Sequence, residues 1–190
     1  ATAYFGGDGR LYVTDYKRHA IYKFTAAGVF EGWLGAQEDG SISNRFITTG
    51  KPAESAKPGG SKKPHAARTD GDGNLIVVDT WNHRLTRHRP DGSFLGWIGA
   101  RAAGGVTDGW EIDGQAVKSA EPGGFEAPVS LNFEDGGDII IAEYGNHRIQ
   151  KFGPDGRFVG WFGGKAERGC TQGWESKGLS RSGKEPGAFL

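Results

Sequence analysis

Apolar positions along the chain fall in runs of about five, parted by glycine-rich turns, and the order of runs recurs. The stretches LYVTD (11–15), LIVVD (75–79) and DIIIAE (138–143) are nearly all apolar. Runs this short and this continuous predict strands buried on both faces. Each is preceded by a turn such as Gly7-Asp8-Gly9 or Asp70-Gly-Asp-Gly-Asn74, and before that by a weaker strand such as VSLNF (129–133). Each is followed by a short turn closing on a histidine, and then by AIYKF (20–24), RLTRH (84–88) or RIQKF (148–152). A Pro-Asp-Gly turn, worn to Ala26-Ala27-Gly28 in the first copy, leads to VFEGWLG (29–35), SFLGWIG (93–99) or RFVGWFG (157–163). Proline presets φ there and glycine accepts φ > 0.

The recurrence has a fixed period. Asp15, Asp79 and Glu143 are spaced by 64 residues, and so are His19, His83 and His147. The same offset carries Gly32-Trp33 onto Gly96-Trp97 and Gly160-Trp161, and Pro58-Gly59 onto Pro122-Gly123 and Pro186-Gly187, without a gap. Residues 1–190 therefore read as a single repeat domain, with units at about 1–62, 63–126 and 127–190. Four antiparallel strands per unit, joined by turns and not by helices, make a β-propeller blade. The predicted class is all-β, with three blades in this chain.

Two units carry a closer likeness. DTWNHRLTRHRPDGSFLGW (79–97) and EYGNHRIQKFGPDGRFVGW (143–161) resemble NHL repeats, named for an Asn-His-Leu core. That core stands here as Asn82-His83-Arg84-Leu85 and Asn146-His147-Arg148-Ile149. The first unit keeps the aromatics and glycines but lacks Asn and Arg beside its histidine. The resemblance implies a propeller, commonly six-bladed, and no single activity: members include binding modules and, among related propellers, lyases and lactonases. It also implies a shorter link between blades than this chain has, by about ten residues per unit.

Composition narrows the partners. There are 34 glycines, and aromatic residues make up 12% of the chain. That suits tight turns between short strands and not helices, where each interior Gly costs roughly 1 kcal/mol against Ala. Lys plus Arg equals Asp plus Glu at 23 each. With no excess positive field, a nucleic-acid partner is not expected. No apolar run approaches the ~18 residues of a spanning helix, so no membrane span is expected. The absence of methionine fits a processed product or a piece of a longer chain. Small residues in ATAYF fit the stretch after a signal cleavage site, giving an extracellular or secreted location.

The candidate chemistry sits at one end of the strands. Strand parity puts the Asn-His-Arg turns and the long insertions (37–61, 101–125 and 165–189) on one face, where loops on a rigid scaffold carry function. The candidate binding residues are Trp81, His83, Trp110, His147 and Trp174. Trp110 is expected to pack on its own blade near Trp97, and Trp174 near Trp161. Trp33, Trp97 and Trp161 are expected between blades. Trp81 stands where the other units have Lys17 and Gly145, so blade packing does not demand it.

His83 and His147 lie four residues after Asp79 and Glu143, a pairing also met in metal and acid–base sites. The simpler reading gives each carboxylate to its own turn and to Arg84 or Arg148, because repetition on separate blades suits structure better than catalysis. Asp70, Asp72 and Asn74 imitate part of a calcium loop but lack the downstream acidic ligand. The axis-lining strands offer Tyr4, His65, Arg68, Asn132 and Glu134, a poor oxygen cage. No catalytic residue and no metal ligand is assigned, with calcium or zinc as the alternative. Cys170 replaces Ile42 and Val106 and reads as a small buried hydrophobe.

Three blades do not close a ring, and open flanks expose apolar surface. The expected partners are a second copy, giving half of a six-bladed ring from each chain, or the remaining blades of a longer chain, together with a protein or glycan ligand. The function expected is a non-enzymatic extracellular interaction or assembly scaffold. The alternatives are a metal-dependent propeller enzyme of lyase or lactonase type and the structural subunit of a filament.

Overall fold

The computed structural model describes residues 2–167 and 169–190. Among these residues the first blade holds β1 (Thr2–Phe5), β2 (Leu11–Asp15), β3 (Ala20–Phe24) and β4 (Phe30–Leu34), followed by the short β5 (Ala36–Gln37) and β6 (Pro52–Ala53). The second holds β7 (Ala66–Thr69), β8 (Leu75–Asp79), β9 (Arg84–His88), β10 (Phe94–Arg101) and β11 (Ala116–Val117). The third holds β12 (Pro128–Phe133), β13 (Ile139–Glu143), β14 (Arg148–Phe152), β15 (Phe158–Lys165) and β16 (Ser180–Arg181). The four predicted strands of each unit pair antiparallel in chain order. The chain is thus three propeller blades. Their first strands neighbour one another, β1 against β7 and β7 against β12.

The insertions add something the hydrophobic pattern does not show. Each doubles back along the outer strand of its own blade. Trp97 exchanges backbone bonds with Glu111, and Ala116–Val117 then pairs with the end of β10 as a fifth strand. β16 does the same for β15. In the first blade the matching pair, β5 with β6, stands as its own two-stranded piece.

Position in the stack decides burial. All five residues of LIVVD are buried, as the continuous apolar run predicts. In LYVTD and IIIAE burial alternates, because the outer blades have a neighbour on one side only. Side chains alternate across a strand, so β8 serves two seams. Leu75 and Val77 join Tyr12, Ile21, Leu34 and Ala67. Ile76 and Val78 join Leu85, Ile98, Phe125, Leu131, Ile139, Ile141 and Phe152. Burying one such aliphatic side chain contributes roughly 1.5–3 kcal/mol, so each seam is a core in its own right.

Trp33, Trp97 and Trp161 are buried, though none of them belongs to either seam cluster. Their indole N–H groups donate to Thr49, Asp113 and Lys177 carbonyl oxygens at 3.2, 2.9 and 3.2 Å. Each therefore fastens the insertion of its own blade. Cys170 is half-buried, not buried, because it lies on the insertion of the outermost blade, where it bridges Gly164.

Candidate binding site on the loop face

The turns between the second and third strands are built around a histidine in the left-handed region: φ is 58° at His19, 54° at His83 and 49° at His147. Non-glycine residues seldom adopt this conformation, though His does so more readily than most. It reverses the chain within three residues and aims the acid and Arg on either side into the same space. Asp79 accepts bonds from Asn82 Nδ2 (2.8 Å), Arg84 Nε (2.9 Å) and the Lys62 N–H (2.7 Å). Glu143 accepts from Asn146 Nδ2 (2.7 Å), Arg148 Nε (2.6 Å), Gln150 Nε2 (2.8 Å) and the Glu126 N–H (2.9 Å). Both ion pairs have 0% side-chain exposure. Burial pushes both carboxyls up, and the guanidinium beside each pulls it back. The carboxylates are thus taken up by their own turns, in line with the structural reading.

The rest of each guanidinium crosses the seam. Arg84 donates to the carbonyls of Ala56, Lys57 and Gly60, all at 2.9 Å. Arg148 donates to those of Ala120 (2.8 Å), Glu121 (2.9 Å) and Gly124 (2.8 Å). Asn82 and Asn146 add bonds to the Ser55 and Ser119 carbonyls. The end of one insertion is therefore clasped by the next blade. The histidines close the same seams: the Lys63 N–H donates to His19 Nδ1 (3.0 Å) and the Ala127 N–H to His83 Nδ1 (3.1 Å). Half-burial lowers the His83 pKa from its ordinary value.

Only two of the five candidates come together. Trp81 and His83 line one open pocket of ≈ 320 Å³ with Glu54, Lys62 and Gln115. Trp81 is 50% exposed, and Lys63 Nζ stands 4.1 Å over its ring. Trp110 and Trp174 belong elsewhere. The Trp110 indole N–H donates to the Pro154 carbonyl at 3.1 Å, and a Cβ placed on Gly156 would meet that ring at 3.0 Å. It thus lies on the Pro-Asp-Gly turn of blade three, at the end opposite the histidine turns. Its backbone is beside Trp97, but its ring crosses to the next blade, because the insertion carries it down the length of the outer strand. Trp174 holds the matching place on blade three, edge-on to Phe162 at 4.9 Å and 5.2 Å from Lys151 Nζ. His147 stays at its turn, near Tyr144.

Sequence reading passed over Tyr144, which is 70% exposed one residue before the position equivalent to Trp81. Asp70 accepts backbone bonds from Asp72 and Asn74 and pairs with Arg87 at 2.6 Å, so the calcium-like stretch is a hairpin turn. Among the described residues no three His, Cys, Asp or Glu side chains gather as a ligand set. No helix of the described residues is long and apolar enough to cross a membrane.

Among known families, the NHL repeat matches residues 127–152, which span β12 to β14 and the His147 turn. The chain carries an NHL repeat. Its other two units share that repeat's strand order and histidine turn. Solved structures with some likeness include virginiamycin B lyase from Staphylococcus aureus, 16% identical with a TM-score of 0.39, covering 83% of this chain and 53% of the lyase. A protein of unknown function from Bacteroides caccae is 15% identical with a TM-score of 0.41, covering 84% of this chain and 58% of that one. A streptogramin B lyase is 13% identical with a TM-score of 0.39, covering 83% and 52%. The chain carrying the NHL repeat spans about half the length of these proteins, and at such scores the likeness carries no argument about activity. No curated protein matches the sequence.

Proposed function

We propose that the chain is an interaction and assembly scaffold that works outside the cell and takes a protein or glycan ligand on its loop face. The observation that supports this reading is the Trp81 indole. Half of it is exposed, and it is steadied from one side by Lys63, which also stands 5.2 Å over the Tyr16 ring of blade one. A cation over an indole is worth about 0.5–1 kcal/mol at an exposed site, enough to favour one ring orientation before a ligand arrives. Exposed, oriented tryptophans are over-represented among residues that carry binding energy. Around it, Glu54, Lys62, His83 and Gln115 offer both charge signs and an amide, which suits a polar ligand with an apolar face.

The test is a glycan array and a displayed-peptide library screened with the chain and with Trp81→Ala. Ligands of this face are expected to lose at least ~10-fold in affinity on truncating such an anchor, with a small change in melting temperature because half of the ring is exposed. Ligands that bind Trp81→Ala as tightly as the parent would overturn the assignment of this face.

A further inference from the structure

The two seams inside the chain follow one plan, so setting them side by side separates what a seam needs from what has been added to one. In both, the histidine of the earlier blade accepts an N–H from the later one, His19 from Lys63 at 3.0 Å and His83 from Ala127 at 3.1 Å. The backbone giving that N–H is left-handed in both, with φ of 49° at Lys63 and 47° at Ala127. The turn then bonds back to the segment before it, through the Trp81 N–H to the Lys62 carbonyl at 3.1 Å and the Gly145 N–H to that of Glu126 at 3.0 Å. One ion pair spans each rim: Lys62 with Glu54 at 3.3 Å and, with the signs exchanged, Lys118 with Glu126 at 3.4 Å.

The side chains at three matched positions differ. Tyr16, Lys63 and Trp81 on the first seam stand where the second has Thr80, Ala127 and Gly145. A seam therefore makes its backbone bonds with a hydroxyl, a methyl and no side chain at these places. On the first seam the three form one unit. Lys63 Nζ lies 4.1 Å from the centre of the Trp81 ring and 5.2 Å from that of Tyr16, and His65 meets Tyr16 edge-on at 6.0 Å. Among the described residues no carboxylate pairs with Lys63 or with the exposed Lys17. Asp15, close by, is taken up by the N–H groups of Lys17 and Arg18 at 2.9 and 3.0 Å. A second open pocket, of ≈ 450 Å³, is lined by Thr2, Asp15, Tyr16, Lys17, Pro64 and His65. Lys62 borders the Trp81 pocket, so the segment from Lys62 to His65 runs between the two.

We infer that Tyr16, Lys63 and Trp81 are a subsite added to the first seam, and that its ligand is an acidic saccharide, a chain of pyranose rings bearing carboxylate or sulfate groups. The inference rests on the Trp81 face being a binding face and adds the class of ligand it takes. Two aromatic faces attract an ammonium but do not neutralise it, so Lys63 is held in place with its charge still unanswered. The half-exposed indole offers a flat apolar surface of the size of a sugar ring. A pyranose lying on Trp81 presents its apolar face to the indole and its acid group to Lys63. The next acid group along the chain reaches the second pocket, where Lys17 stands. An acidic peptide would answer the charge but leave the open rings without a matching flat partner.

The experiment titrates the chain calorimetrically at low salt with four probes: oligogalacturonate, heparin oligosaccharide, the carboxyl-reduced neutral form of the first, and poly-glutamate. At least one of the two acidic saccharides is expected to bind, and to lose at least ~10-fold in affinity on Lys63→Ala and on Trp81→Ala. Lys118→Ala, which removes the lysine of the neighbouring seam, is expected to change little. Lys63→Arg keeps the charge and is expected to stay within about three-fold of the parent. Lys63→Ala is expected to lower the melting temperature by no more than about 4 °C, since Ala127 fills that place in the second seam. A larger drop would make the three side chains a brace of the seam and overturn the inference. So would binding of neither acidic saccharide, poly-glutamate bound as tightly as they are, or parent-like affinity in Lys63→Ala. A neutral glycan bound as tightly as the acidic one, and weakened by Trp81→Ala alone, would overturn the acidic ligand while leaving the face in place. Affinity that ignores both variants would remove the face as well.

Discussion

His88 occupies the place that Phe24 and Phe152 take in the other two blades. It is buried, with its ring nitrogens 3.3 Å from the Gly92 carbonyl and 3.1 Å from Thr86 Oγ1. Burial is the main cause that lowers its pKa to about 4. A histidine depressed in the folded state stabilises it fully above the unfolded value of about 6.5, and that contribution is lost as pH falls towards 4. A gap of this size corresponds to about 3 kcal/mol. Urea titrations at pH 7.5 and 4.5 are expected to show a larger loss of stability for the parent than for His88→Phe, by roughly that amount. Equal pH dependence of the two would mean that the ring is charged in the fold. Nothing in the hydrophobic pattern distinguishes this histidine, since it ends a strand in a run of polar and charged neighbours. Its alignment with two phenylalanines at the 64-residue period was the available signal.

At the scale of the element, strand order and boundaries were legible because they depend on local chemistry: apolar runs, Pro-Asp-Gly and a repeat without gaps. The predicted limits of the third strands coincide with β3, β9 and β14. The insertions were not legible in this way. Their pairing with the outer strands depends on backbone bonds that any residue can make, so β11 and β16 left no periodic signature. The same holds for the arginine clasp. The pairing of Asp79 with Arg84 could be read from spacing, but the carbonyls of Ala56, Lys57 and Gly60 could not. Removing one partner of a buried pair costs about 3–5 kcal/mol. Arg84→Ala and Arg148→Ala are each expected to lower unfolding free energy by that order, measured by denaturant titration. A loss under ~1 kcal/mol, the range of a surface pair, would mean the clasp is solvated. Of the candidate residues, Trp81 and His83 share one turn, as parity reads. The insertions carry Trp110 and Trp174 the full length of the blade: the Trp110 ring crosses to the next blade, while Trp174 packs on its own blade beside Phe162, next to Trp161, as expected.

For the molecule as a whole, stacking sets a gradient of protection. Blade two has a neighbour on both sides, while blades one and three each show one flank to solvent; on that of blade one Phe5 stands 56% exposed. Amide hydrogen exchange reports such differences as local opening free energies. The amides of Leu75–Asp79 are expected to exchange slowest, and those of Thr2–Phe5, with one neighbouring strand in their sheet, among the fastest. Slowest exchange in blade one would contradict a stack in which the middle sheet is the anchor.

The histidine seams also settle where a proton resides. Because Ala127 donates to His83 Nδ1 and Lys63 to His19 Nδ1, each imidazole keeps its single hydrogen on Nε2, a tautomer that nitrogen chemical shifts can read directly. A second proton on His83, which burial resists, would turn hydrogen against hydrogen at the rim of the stack. Acid strong enough to add it would act as a wedge between blades two and three, prising them apart at the edge while the apolar interior stays closed.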